Sequence, residues 1–137
     1  MSELNIKNNG IGATPHLTFS VNTTADKEFT EEDIDNNLTA CLISGNNQVG
    51  KGDAGGKLFG KVVWVSSELQ EGTAVPALCA VQARGVARFK YTDSTPVVDQ
   101  SVELAGEGKV RRTSMANVKG RVIAVNPIEK TCDVWLG

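Results

Sequence analysis

The stretch Ala77-Leu78-Cys79-Ala80-Val81-Gln82-Ala83-Arg84-Gly85-Val86-Ala87-Arg88-Phe89-Lys90-Tyr91 decides the fold class. Cys79, Val81, Ala83, Ala87 and Phe89 share one parity, while Arg84, Arg88 and Lys90 share the other. Successive side chains of a strand point to opposite faces, so this spacing buries one face and wets the other. Gly85 falls on the apolar side, where a missing side chain predicts a sharp bend or a close neighbouring backbone.

The flanking segments carry the same chemistry. Leu58 to Ser66 is more apolar throughout than that stretch and predicts a more central strand. Lys119 to Asn126 and Thr131 to Leu136 predict a hairpin across Asn126-Pro127-Ile128-Glu129-Lys130, since proline presets the backbone angle at the first corner of a turn. Ser101–Leu104 and Lys109–Arg111 predict another, across Ala105-Gly106-Glu107-Gly108. Sixteen valines against nine leucines favour pleated surfaces, and apolar residues at helical spacing are hard to find. The expectation is an all-β chain. Gly60-Lys61-Val62-Val63-Trp64-Val65 and Gly120-Arg121-Val122-Ile123-Ala124-Val125 follow one pattern, which predicts similar sheet environments for both.

At 137 residues the chain holds one domain, or one domain with a tail. Hydrophobic residues make up 40% and charged residues 22%, the balance of a folded protein. A net charge of -2 argues against a general nucleic-acid binder, which needs a basic surplus to displace counterions. The start lacks a secretory pattern, and no apolar run approaches a membrane span of roughly 18 residues. Cys41, Cys79 and Cys132 are odd in number and lie in apolar stretches, so they read as buried thiols.

Residues 1–37 are more polar than the rest. Residues 1 to about 24 read as an N-terminal arm, followed by an acidic turn over Asp26 to Asp35; residues 38–137 form the body. Thr30-Glu31-Glu32-Asp33 resembles a helix capping box, but only a turn or two can follow. Within the arm, Leu17-Thr18-Phe19-Ser20-Val21 alternates like a strand.

Several motifs resemble chemistry without completing it. Gly45-Asn46-Asn47-Gln48-Val49-Gly50-Lys51-Gly52 matches a phosphate-binding loop through its lysine, but Gly52 stands where a magnesium-binding hydroxyl belongs. Asp53-Ala54-Gly55-Gly56 cannot start the helix that would complete the cradle. The acidic stretch lacks the central glycine and closing glutamate of a calcium loop. Lys109, Arg111, Arg112, Lys119 and Arg121 form a basic segment without interleaved aromatics, so it reads as a solvated loop or a docking surface for an acidic partner. His16 is the sole imidazole, and no serine or cysteine has it as an evident base. Trp64 and Trp135 are expected to pack in the core or at a subunit contact. No enzyme activity, cofactor or metal is expected.

The order of segments resembles a known family. Leu42-Ile43-Ser44-Gly45 leads into Val49-Gly50-Lys51-Gly52-Asp53 and Leu58-Phe59-Gly60-Lys61-Val62. There follow Gly85-Val86-Ala87-Arg88-Phe89, Gly106-Glu107-Gly108-Lys109-Val110, Gly120-Arg121-Val122-Ile123-Ala124-Val125 and Thr131-Cys132-Asp133-Val134-Trp135-Leu136. From about residue 38 onward this is similar to the small head-decoration, or capsid cement, proteins of tailed bacteriophages. The resemblance implies a compact β-barrel or β-tulip body with an N-terminal arm, usually a trimer. It further implies a protein made in the host cytoplasm that binds the major capsid protein on the virion surface, with no membrane or nucleic-acid partner.

Two expectations about contacts follow. Leu17, Phe19 and Val21 could add as a strand to an exposed sheet edge, facing one row of pockets. Arg111 and Arg112 could dock an acidic surface. The alternative from another class is a nucleotide- or nucleic-acid-binding module using residues 45–52 and 109–121.

Overall fold

The computed structural model describes residues 16–23, 28–29, 39–65, 78–113 and 120–137. The all-β expectation holds: the described residues form ten strands and no helix. Five of them close a barrel in the order β1 (His16–Val21), β3 (Gln48–Gly50), β2 (Ala40–Gly45), β4 (Gly60–Val65) and β5 (Leu78–Gln82). A three-stranded sheet runs β6 (Val86–Lys90), β10 (Thr131–Trp135), β9 (Arg121–Asn126), and β7 (Val102–Gly106) pairs with β8 (Lys109–Arg112). β1 and β3 are parallel; the other pairings within these sheets are antiparallel.

The deciding stretch folds as two strands, broken where Gly85 takes a φ of 76°. Glycine adopts this left-handed angle without the clash a Cβ would bring. The Gln82 side chain reinforces the bend, its Nε2 donating to the carbonyls of Arg84 and Val86 at 2.9 Å each. The shared apolar parity therefore fills two cores. Cys79 and Val81 join Val21, Cys41, Val49 and Val62 inside the barrel, whereas Ala87 and Phe89 join Val102, Leu104, Val110, Val122, Cys132 and Val134 beneath the sheet.

β2 links the two cores, since Cys41 packs in the barrel cluster and Ala40 in the other. Period-two alternation with both faces covered makes a short strand apolar on both sides. The first half of β4, which lies between β2 and β5, is buried in the same manner.

Both hairpins form as the turn chemistry predicts. Asn126 Oδ1 accepts from the backbone N–H groups of Ile128 and Glu129, so its side chain fixes the β9–β10 turn. The phosphate-loop resemblance resolves into a third hairpin, β2–β3. Gly45 pairs with Gln48 across Asn46-Asn47, and Asn47 takes a φ of 51°.

Two expectations fail. Residues 16–21 are not a free arm: β1 pairs along β5 from His16–Gln82 to Ser20–Leu78 and also along β3, and Val21 is buried. The boundary at residue 37 thus cuts through the barrel, because a short alternating strand closes it with backbone hydrogen bonds that composition does not reveal. Residues 1–15 and the capping box at 30–33 lie outside the described residues. Nor do the two Gly-basic-Val segments share an environment. Gly60 and Lys61 are buried in β4, while Arg121 is exposed in β9 at the end of the β6-β10-β9 order.

Candidate partner-binding surface

Of the residues expected to grip a partner, Val21 is interior and Phe19 meets Phe59 edge-on, with ring centroids 5.4 Å apart. Leu17 is 47% exposed, opposite Val81. The segment expected to add as a strand to a partner is here already paired along β5 and, at Ser20 and Val21, along β3. Arg111 Nη2 lies 2.7 Å from Glu103 Oε2, and its Nη1 lies 3.6 Å from Asp93. Arg112 is exposed at the end of β8. The structure thus places Leu17, Phe19 and Val21 in the barrel wall and both arginines in a separate two-stranded ladder.

Buried charge is satisfied internally. Arg88 Nε donates to Asp133 Oδ1 at 2.7 Å and Nη2 to Oδ2 at 3.1 Å, a bidentate pair across neighbouring strands. Asp133 is only 3% exposed, and its carboxylate raises the Arg88 guanidinium further. Lys61 is 6% exposed; burial, then repulsion from Arg88, pushes its amine down to about 8, against a raising contribution from Asp133. Glu103 is held below the usual carboxylate range, chiefly by the Thr113 hydroxyl and then by Arg111, against its desolvation. Among the described residues, every buried side-chain nitrogen or oxygen has a partner.

The cysteines are buried, free thiols. Burial lifts Cys79 to about 11 and Cys132 to about 12, which keeps both thiols protonated near neutrality and makes them poor nucleophiles. Among the described residues no cluster of three or more His, Cys, Asp or Glu side chains could hold a metal ion. No helix among the described residues is long and apolar enough to cross a membrane.

The informative surface is apolar. Trp64 is 55% exposed and Trp135 51%, so neither belongs to the core. Trp64 stands opposite Ala80 on the barrel, which stands opposite Thr18, giving an uncharged row across three strands. Trp135 stands opposite Arg121 and Val86. Parity along β10 carried a usable signal for Trp135. Cys132, Val134 and Leu136 alternate with Asp133 and Trp135, which places the indole on the charged side. For Trp64 the signal is obscured by a register shift between Val62 and Trp64.

Comparison with protein-family models, curated proteins and solved structures finds no match.

Proposed function

We propose that this chain is a structural virion protein, which binds the outer surface of an assembled phage capsid and stabilises contacts between major capsid proteins. The observation that carries the reading is the set of large apolar side chains held outward by a rigid β scaffold. Trp64, Trp135, Ile43, Val98 and Ile128 are all exposed. Trp64, Trp135 and Ile43 stand on strands and Val98 and Ile128 in turns; exposed indole rings and branched aliphatics suit a protein–protein contact. The sequence order of glycine-bounded strands adds the resemblance to cement proteins. On that resemblance the working form is a homotrimer, whose linked contacts reinforce one another through high effective concentration.

Closed strands alter how such a protein would attach. With β1 paired along β5 and, at Ser20 and Val21, along β3, the segment is part of the barrel, and attachment through the body would run chiefly through side-chain faces. The reading assigns the chain no catalysis and no cofactor. The hairpin at Asn46-Asn47 lacks the helix a phosphate cradle requires, which weighs against the nucleotide-binding alternative.

Co-sedimentation with preformed phage shells lacking the protein tests the proposal, with labelled ATP and duplex DNA as competing ligands. Saturable pelleting with shells is expected. Stoichiometric binding of ATP or DNA, with none to shells, would reject it.

A further inference from the structure

We propose that the Lys61 ammonium is the receptor for one carboxylate group, bound where the outer wall of the barrel meets the Arg88–Asp133 pair. This site stands apart from the exposed apolar groups assigned to the capsid contact.

Strand pairing fixes the direction of the Lys61 side chain. Val62 fills the barrel core, so its neighbour Lys61 points out of the barrel. It stands opposite Ala40 on β2 and opposite Gln82 on β5. Both are buried and Ala40 belongs to the second core, so the Lys61 stem is covered and the residue is only 6% exposed. Neither neighbour carries a charge. Gln82 turns its amide nitrogen to the carbonyls of Arg84 and Val86. The charged groups that act on the amine come from β6 and β10, as Arg88 and Asp133.

Lys61 is the exception to the internal pairing of buried charge. Asp133 gives both carboxylate oxygens to Arg88, at 2.7 and 3.1 Å. Among the described residues no hydrogen bond or ion pair engages the Lys61 ammonium, whereas every fully buried side-chain nitrogen has a partner. The ammonium therefore reaches solvent at the end of a covered stem, with three N–H donors to offer. Its stem holds it in place, and the surrounding low dielectric strengthens its attraction for an anion.

Charge selects the ligand. Repulsion from Arg88 outweighs attraction from Asp133 at this amine. Glu129 acts on Arg88 from an exposed position in the β9–β10 turn, where water screens it. One negative charge beside Lys61 offsets the positive surplus, whereas a dianion would press a second charge towards the buried Asp133 carboxylate. A carboxylate carries that single charge on oxygens that accept from an ammonium. Burial and Arg88 push the amine down to about 8, and a bound carboxylate favours the protonated form and draws it back up. Affinity is thus full below about pH 8 and falls as pH rises through it. Two sources supply such a group: a free small acid, or an acidic side chain of a docked protein.

The full chain, labelled with carbon-13 at lysine Cε, is titrated by NMR in saturating sodium acetate and in sodium chloride of equal ionic strength. Loss of a resonance in Lys61→Met assigns Lys61. Acetate should raise its midpoint by about one pH unit over chloride, a tenfold preference for the charged amine, and leave the exposed lysines unmoved. In parallel, wild type and Lys61→Met are bound to preformed phage shells with acetate as competitor; this arm alone rests on the capsid reading. Shell binding that Lys61→Met weakens about tenfold and acetate displaces assigns the carboxylate to the shell protein. An acetate shift with both proteins binding shells alike assigns it to a free acid. Equal midpoints in acetate and chloride, with shell binding untouched by Lys61→Met, would overturn the receptor. Shells that bind neither protein would reject the capsid reading and leave the acetate titration to decide this one.

Discussion

A lysine almost wholly buried beside the Arg88 guanidinium is easier to discharge than one in water. Lys61 has its amine pushed down to about 8 in the folded chain, against 10.5 for an ordinary lysine. Between those values the unfolded chain binds the extra proton, so this group makes stability rise with pH from about 8 to about 10.5 and level off above. Each unit of difference is about 1.4 kcal/mol, so the effect is bounded at a few kcal/mol. Cys79 and Cys132 act with the opposite sign, because their raised thiols keep protons that the unfolded chain sheds above about 9. Urea denaturation of wild type and Lys61→Met from pH 7 to 10.5 separates these contributions. The variant should be the more stable at pH 7, and the gap should close as pH climbs. A second expectation concerns the pair beside it. Arg88→Ala leaves the Asp133 carboxylate buried without its cation and should cost about 3–5 kcal/mol in chemical denaturation, whereas Arg88→Met with Asp133→Leu should recover most of that loss. Neither effect was legible in the sequence. Lys61 lies in a segment that reads as a central strand, but nothing in that segment states which side chains will surround its amine, and Asp133 is likewise set apart only by the neighbours that cover it. Gly60 was equally silent: a Cβ there would collide with the Gln82 carbonyl oxygen, a contact made by a strand some 20 residues away.

Strands were the most legible feature, because their signal is local. The alternation in Leu78–Lys90, the Asn-Pro turn and the glycine-bounded β7–β8 hairpin each follow from a few neighbouring residues. Pairing partners were not legible, since they depend on closure between distant segments. β1 is the clearest case. Its alternation was read correctly as a strand, but nothing in Leu17–Val21 states that β5 and β3 will take its hydrogen bonds. The barrel makes a prediction that the arm reading would not. Deleting residues 1–24 removes β1, strips a partner from both β3 and β5, and opens a core that contains Cys41, Val49, Val62, Cys79 and Val81. The truncated protein should lose its cooperative urea transition, or show it at a markedly lower midpoint. An unchanged midpoint would mean that β1 is peripheral to stability.

At the scale of the whole molecule, the buried side-chain polar atoms among the described residues all have hydrogen-bond partners, while several large apolar groups lie outside. Indole rings at Trp64 and Trp135 add solvent-exposed apolar area that folding does not use, and covering such area is the usual source of binding energy between proteins. The candidate surface was only partly readable beforehand. Arg112 is exposed at the end of β8, whereas Val21 is a core residue and Arg111 is engaged by Glu103. The loop that exposes Val97 and Val98 is pinned to a strand more than 20 residues later, which no spacing rule reveals. If the chain works by covering junctions between shell subunits, its effect must appear in the mechanical endurance of the shell. The most direct measurement heats preformed phage shells with and without saturating protein and follows the temperature at which they rupture. The account predicts a higher rupture temperature with protein bound, rising to a plateau as sites fill. Shells that bind the protein and rupture at the same temperature as bare ones would contradict it.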